Sequence, residues 1–158
     1  DGVLNRDDGY VHRPDQFVWT VGAIEAVQWL NGAGYHVFVV TNQAGVARGY
    51  FAESAVRDLH DWMQGELQRH GAHIDAFEYC PFHPEASIEQ YRRISDLRKP
   101  GPGMITKLQA DWDTEIFGSF LVGDRDTDIE AASAAGIPGY KFPGGNLLDF
   151  IKRRVPPQ

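Results

Sequence analysis

The sequence predicts an α/β fold with a mainly parallel central sheet. Three observations carry that prediction: apolar runs too continuous for half-exposed strands, amphipathic stretches of helical period between them, and polar clusters that follow the runs.

From Val21 to Leu30, the residues Val21, Ile24, Val27, Trp29 and Leu30 recur near helical spacing. Gly32 and Gly34 supply the stop, so a first helix is predicted there. His36 to Thr41 is an unbroken β-branched and aromatic run, which predicts a strand buried on both faces and ending at Thr41, Asn42 and Gln43. Glu53 to His70 carries Val56, Leu59, Trp62, Met63 and Leu67 at helical spacing and stops before Gly71, a second helix. Ala76 to Tyr79 is a short strand. Cys80 to Gly103 holds four prolines and little periodicity. It reads as a long loop, and loops of that length in compact domains usually carry function. Met104 to Asp111 predicts a helix, Phe117 to Val122 a strand, and Ile129 to Ala135 a helix of small residues closed by Gly136. Gly139 to Phe142 and Leu147 to Arg153 supply the last strand and helix before the Pro156-Pro157 tail.

With 158 residues the chain is expected to form one domain over 1–158, large enough to bury a core without staples. It is 42% apolar and 23% charged, and no apolar run approaches the roughly 20 residues that cross a bilayer, so a membrane partner is not expected. A net charge of -7 repels nucleic acid and requires any phosphate ligand to be held by local cations or a metal. A small phosphorylated substrate suits that balance. Cys80, the single cysteine, has no partner for an internal disulfide, and no signal-like segment opens the chain, which points to a reducing cytoplasm. Oligomeric state is not legible in the sequence.

In parallel α/β sheets ligands sit outside the carboxyl ends of the strands, and the chemically suggestive residues fall there. Asp1, Asp124 and Asp128 offer the hard oxygen donors that Mg²⁺ prefers. Lys99 offers a compact positive charge, and the Thr41 hydroxyl a hydrogen bond to a phosphoryl oxygen.

These residues lie in motifs that resemble a known family. Asp1-Gly2-Val3-Leu4-Asn5, Val39-Val40-Thr41-Asn42-Gln43, Arg98-Lys99-Pro100 and Gly123-Asp124-x-x-x-Asp128 are similar, in order and spacing, to the four motifs of the haloacid dehalogenase (HAD) superfamily. The longer segments Thr41 to Gly49 and Arg98 to Met104 resemble the branch that holds heptose 1,7-bisphosphate phosphatases and histidinol-phosphatase domains. The resemblance implies a Rossmann-like three-layer sandwich and magnesium-dependent hydrolysis of a small phosphorylated sugar, best guessed as heptose 1,7-bisphosphate. Histidinol phosphate or a broad range of esters is the alternative within enzymes. A non-catalytic phospholigand-binding domain is the alternative of another class.

The resemblance also implies roles. Asp1 would be the general acid and base, with the nucleophilic aspartate expected two positions ahead of it, outside the sequence as it stands. Thr41 and Asn42 would bind the transferring group, with Gln43 beside them, and Lys99 would stabilise that group. Asp124 would hold Mg²⁺, with Asp1 in the same metal set, and Asp128 would support the metal or orient Lys99. Arg98 and the Asp7-Asp8-Gly9-Tyr10 segment match substrate-contacting positions, and Arg48 is a candidate for a second phosphate.

Members of this branch often carry zinc on the long loop. Here Cys80-Pro81-Phe82-His83-Pro84 keeps one half of that site, but Ser95 and Leu97 stand where later cysteines would. Two ligands leave half of a tetrahedral site to water, so zinc is not expected and packing of Phe82 with Tyr91 is expected to hold the loop instead. Asp126 reads as a helix-start residue favoured by the dipole. The histidines show no metal spacing, and the four tryptophans read as core or semi-buried anchors rather than a stacking platform. No inserted domain fits between Asn5 and Thr41 or between Asn42 and Lys99, which implies a capless or minimal-cap site.

Overall fold

The computed structural model describes residues 1–155; the Pro156-Pro157 tail lies outside them. In chain order run α1 (Ala23–Gly32), β1 (Phe38–Asn42), α2 (Ala44–Ala47), α3 (Glu53–Arg69), β2 (Ala76–Cys80), α4 (Gly103–Asp111), β3 (Leu121–Gly123), α5 (Asp126–Ala134), β4 (Gly139–Lys141) and α6 (Leu147–Arg154). Short 3₁₀ turns stand at Pro14–Gln16 and Glu89–Tyr91.

Two compact units divide the chain: Asp1–Val39, Ser54–Phe77 and Phe142–Gln158 form the first, Val40–Glu53 and Glu78–Lys141 the second. Among the described residues β1 pairs with β2 and β3 with β4. Asp75 N–H donates to Val37 O at the start of the first pair and Gln43 N–H to Cys80 O at its end, so the pair is parallel. The second is parallel in the register Leu121 to Gly139, Val122 to Tyr140 and Gly123 to Lys141. The expected β1 begins two residues late, and all its residues are half-buried rather than buried.

In the first unit, Leu4 to Arg6 lies antiparallel to Val18 to Thr20 through an Asn5–Trp19 bridge. Helix α1 starts two residues after Val21, because the Ala23 N–H turns back to Thr20 O and Gly22 adopts the left-handed region at φ 77°. A Cβ at Gly22 would run into Asn146. That same asparagine caps α6 by accepting the Asp149 N–H at 3.1 Å. The core joins two clusters: Val11, Phe17, Leu59 and Met63 with Trp19, Trp62 and Phe77, and Val27, Leu67, Ala72 and Ile74 with Ile24 and Val39. The expected anchoring by Trp19 and Trp62 is found here.

In the second unit, α5 packs on β3 and β4 through Ala131, Ala132, Ala135 and Ile137, joined by Ile105, Val40 and Leu121. The predicted strand over Phe117 to Val122 is shorter. Gly118 takes φ 86°, Ser119 N–H turns back to Ile116 O, and Phe117 is 94% exposed, so only Leu121 onward pairs. Helix α5 begins three residues earlier than predicted, at Asp126, since the Asp128 carboxylate accepts the Arg125 N–H at 3.0 Å and closes the first turn. Asp126 is a first-turn residue and pairs with Lys141.

The long loop is tied down throughout. His83 N–H donates to Tyr91 O, Arg93 N–H to His83 O, and Ile88 N–H to Ala47 O. The Phe82 ring lies 6.3 Å from Tyr91 with the Arg93 guanidinium 4.3 Å over it, the packing expected in place of zinc. The Tyr79 and Tyr91 hydroxyls each donate to one oxygen of Glu53, both at 2.8 Å.

Candidate active site

Strand β1 ends in Thr41 and Asn42, with Gln43 next. The Gln43 amide donates to the Thr41 hydroxyl at 3.0 Å, so it holds the hydroxyl that was expected to meet phosphate. The Asn42 side chain turns to Lys99, accepting its N–H on Oδ1 at 3.0 Å and donating from Nδ2 to its carbonyl at 3.2 Å. The Lys99 ammonium donates to Val40 O at 3.2 Å and forms an ion pair with Asp128 Oδ1 at 2.6 Å. Its side chain is 13% exposed. An ammonium has three donors, and these contacts leave one for a phosphoryl oxygen.

Asp128 is 5% exposed. Its second oxygen accepts the backbone N–H groups of Asp124 and Arg125, at 3.1 and 3.0 Å. Burial would raise this carboxyl. The Lys99 charge, the Lys99 hydrogen bond and the two backbone donors outweigh burial and hold it below the ordinary value. Gly123 makes the arrangement fit, since a Cβ there would collide with the Asp128 side chain. Both oxygens of Asp128 are therefore committed, and it is placed to orient Lys99. Among the described residues no three His, Cys, Asp or Glu side chains stand where one metal ion could be held.

Beside Lys99 opens a cleft of about 500 Å³, lined by Pro84, Ile94, Asp96, Arg98, Lys99 and Pro100 among others. The Arg98 Nη1 is buried without a hydrogen-bond partner. Burial lowers the Arg98 pKa; Cys80 works against that shift, and the neighbouring Arg48 and Arg125 add to it. His83 is lowered by burial and then by Arg98 and Arg48. Arg48 and Arg98, expected from sequence, thus belong to one cationic group, to which the structure adds Arg125. The Cys80 thiol is raised by burial and donates to Phe82 O.

The remaining expected residues belong to the first unit. Asp1 accepts a 2.6 Å hydrogen bond from Asn5 Nδ2, and Asn5 is 3% exposed. Sequence reasoning missed that buried asparagine as a support for Asp1, although a short polar residue four positions from the acid was the available signal. Asp7 accepts the Gly9 N–H, Asp8 takes a two-point contact from Arg6, and Gly9 and Tyr10 turn through positive φ of 78° and 50°. This turn is exposed.

The donor set fits Mg²⁺ in one respect. The Asp124 carboxylate, half-buried just past β3, forms no hydrogen bond or ion pair among the described residues. A hard cation that binds through one or two carboxylates, water and substrate phosphate needs such an acceptor.

Parallel strands that end in a hydroxyl and a carboxylate, with a loop ammonium between them in chain order, point to a HAD-like hydrolase, and residues 96–146 match the HAD-hydrolase-like family. The chain is 48% identical over 153 residues to the D-glycero-β-D-manno-heptose-1,7-bisphosphate 7-phosphatase of Rhodopseudomonas palustris, covering 97% of this chain and 85% of that one. It is 47% identical over 137 residues to the α-anomer enzyme of Burkholderia mallei, covering 87% and 72%. The structure of the heptose 1,7-bisphosphate phosphatase of B. bronchiseptica, complexed with magnesium and phosphate, superposes with a TM-score of 0.81 at 32% identity, covering 99% of this chain and 84% of that one. The chain belongs to the heptose-1,7-bisphosphate 7-phosphatase family of HAD-like hydrolases.

Proposed function

We propose that this protein is a cytoplasmic, magnesium-dependent phosphatase that removes the 7-phosphate of D-glycero-D-manno-heptose 1,7-bisphosphate, with residues 1–158 acting as one hydrolase domain. The observation that carries the reading is the Lys99 ammonium, fixed by Asp128 and Val40 with one donor left over. Among the described residues no helix is long and apolar enough to cross a membrane.

In this reading the nucleophile is an aspartate two positions ahead of Asp1. Its carboxylate oxygen attacks phosphorus, the bond from phosphorus to the sugar oxygen breaks, and Asp1 delivers a proton to that leaving oxygen. In the second displacement Asp1 takes a proton from water as the water oxygen attacks phosphorus and the aspartyl bond breaks. Asn5 orients Asp1 for both transfers. Lys99 and the Thr41 hydroxyl bear on the equatorial oxygens, where charge is spread in the transition state. Asp124, with Asp1, would hold Mg²⁺, which supplies charge neutralisation on the phosphate. Arg98 and Arg48 face the remainder of the substrate, with the Asp7 to Tyr10 turn as a further contact.

The test is phosphate release by the full-length protein with Mg²⁺ on both anomers of the bisphosphate, histidinol phosphate and a panel of sugar monophosphates. Turnover should be highest on the heptose bisphosphate, and Lys99→Gln should lower it roughly 10²- to 10³-fold. Equal turnover across the panel, or none, would sink the proposal.

A further inference from the structure

We propose that the Asn42 side chain is a positioning group for Lys99 and not itself a ligand of the phosphoryl group. This rests on the reading of Lys99 as the phosphoryl-stabilising cation. The two residues are 57 positions apart, yet the Asn42 side-chain amide pairs with both the N–H and the C=O of Lys99, at 3.0 and 3.2 Å. A donor and an acceptor on one residue facing an acceptor and a donor on the other fix which way the amide points. The pairing copies what a neighbouring strand does for a strand residue.

Lys99 needs such a device because it stands on an irregular loop, with no ladder to hold its peptide. Its tip is held by Val40 O, on the same strand two residues before Asn42. β1 therefore grips the lysine at both ends, main chain at Asn42 and ammonium at Val40, while Asp128 supplies the counter-charge. Loss of the amide would free the peptide, and the ammonium would no longer be delivered to one place. Small displacements of a group that acts on the transition state reduce turnover more than ground-state binding.

The experiment is a double-mutant cycle in the full-length enzyme, Asn42→Ala with Lys99→Gln, reading kcat and KM on the bisphosphate and the inhibition constant of inorganic phosphate. Asn42→Ala alone should lower kcat about 10- to 100-fold and move KM less than about threefold. In the Lys99→Gln background, Asn42→Ala should cost less than about twofold, because two residues acting through one group are not additive. Asn42→Ser, which keeps one hydrogen-bonding atom, should fall between wild type and Asn42→Ala; it also carries the test if Asn42→Ala fails to fold. Full additivity of the two substitutions would overturn the inference, as would a rise in KM and in the phosphate inhibition constant at unchanged kcat. If Lys99→Gln itself leaves kcat unchanged, the assignment of Lys99 fails instead, whatever Asn42 does.

Discussion

One core cluster of the first unit is built around rings, while the contact of α5 with its sheet in the second is built from methyl groups. Phe17 meets Trp19 edge-on at 4.8 Å and Trp62 at 5.3 Å, and the two indoles stack at 6.4 Å. In the second unit Ala131 and Ala132 are 0% exposed, and Gly139 lies so close that a Cβ there would stand 3.1 Å from Ala132 Cβ and from Ile129 Cα. Large rings fill a wide gap and tolerate a wide separation of elements. Alanines and glycines let α5 come down onto β3 and β4, and that close approach brings Asp128 beneath Lys99. One unit is therefore sensitive to lost volume and the other to added volume.

The largest effect should come from removing volume in the ring cluster. Phe17→Ala is expected to cost about 3–5 kcal/mol, read as a lower urea midpoint. A loss below about 1 kcal/mol would mean that the cluster is a surface contact and would break the contrast. Next comes added volume in the other unit. Ala132→Leu should cost about 1–3 kcal/mol and also depress turnover, because α5 carries Asp128. Ala132→Leu with full activity and an unchanged melting midpoint would show that α5 has slack.

The third contrast is in acid. His60 is 8% exposed and stacked on Phe77 at 4.5 Å. Burial, opposed by Asp61, lowers its pKa to about 4. The unfolded chain then takes up a proton near 6.5 that the folded one accepts only near 4, so stability is full above 6.5 and declines as pH falls through that window. Asp128 is a depressed acid, whose contribution is present above its ordinary 3.8 and lost as pH falls through its lower folded value. The first unit should soften earlier on acidification, by roughly 1–2 kcal/mol between pH 6.5 and 5. His60→Phe, which keeps the stack, should flatten that limb in thermal melts at stepped pH. An unaltered limb would assign the acid sensitivity elsewhere.

Most element types were legible because their period is a local record of which face is buried: Val56 to Leu67 marked α3, and the small residues after Asp128 marked α5. The error over Phe117 to Phe120 has the same root. An apolar run says what could be buried, while the Gly118 turn and the lack of a pairing partner decided that Phe117 would not be. At the site, residue type marked Lys99, Asp124 and Thr41 as candidates for phosphate and metal, since charge and donor chemistry belong to the side chain itself.

What each polar group does with its hydrogen bonds was left to the tertiary structure. Asn42 was expected to face the ligand and grips Lys99; Asp128 was open between metal and lysine and spends both oxygens on Lys99 and two N–H groups. The long loop closes on Phe82, Tyr91 and Glu53. Sequence alone determined the fold class, the motif order and the chemical kind of the site, because propensity, periodicity and ionisable groups are properties of single residues and their near neighbours. Only folding decided who holds whom, because an amide or carboxylate has several lone pairs and hydrogens to give, and the partners that claim them are brought from tens of residues away by packing.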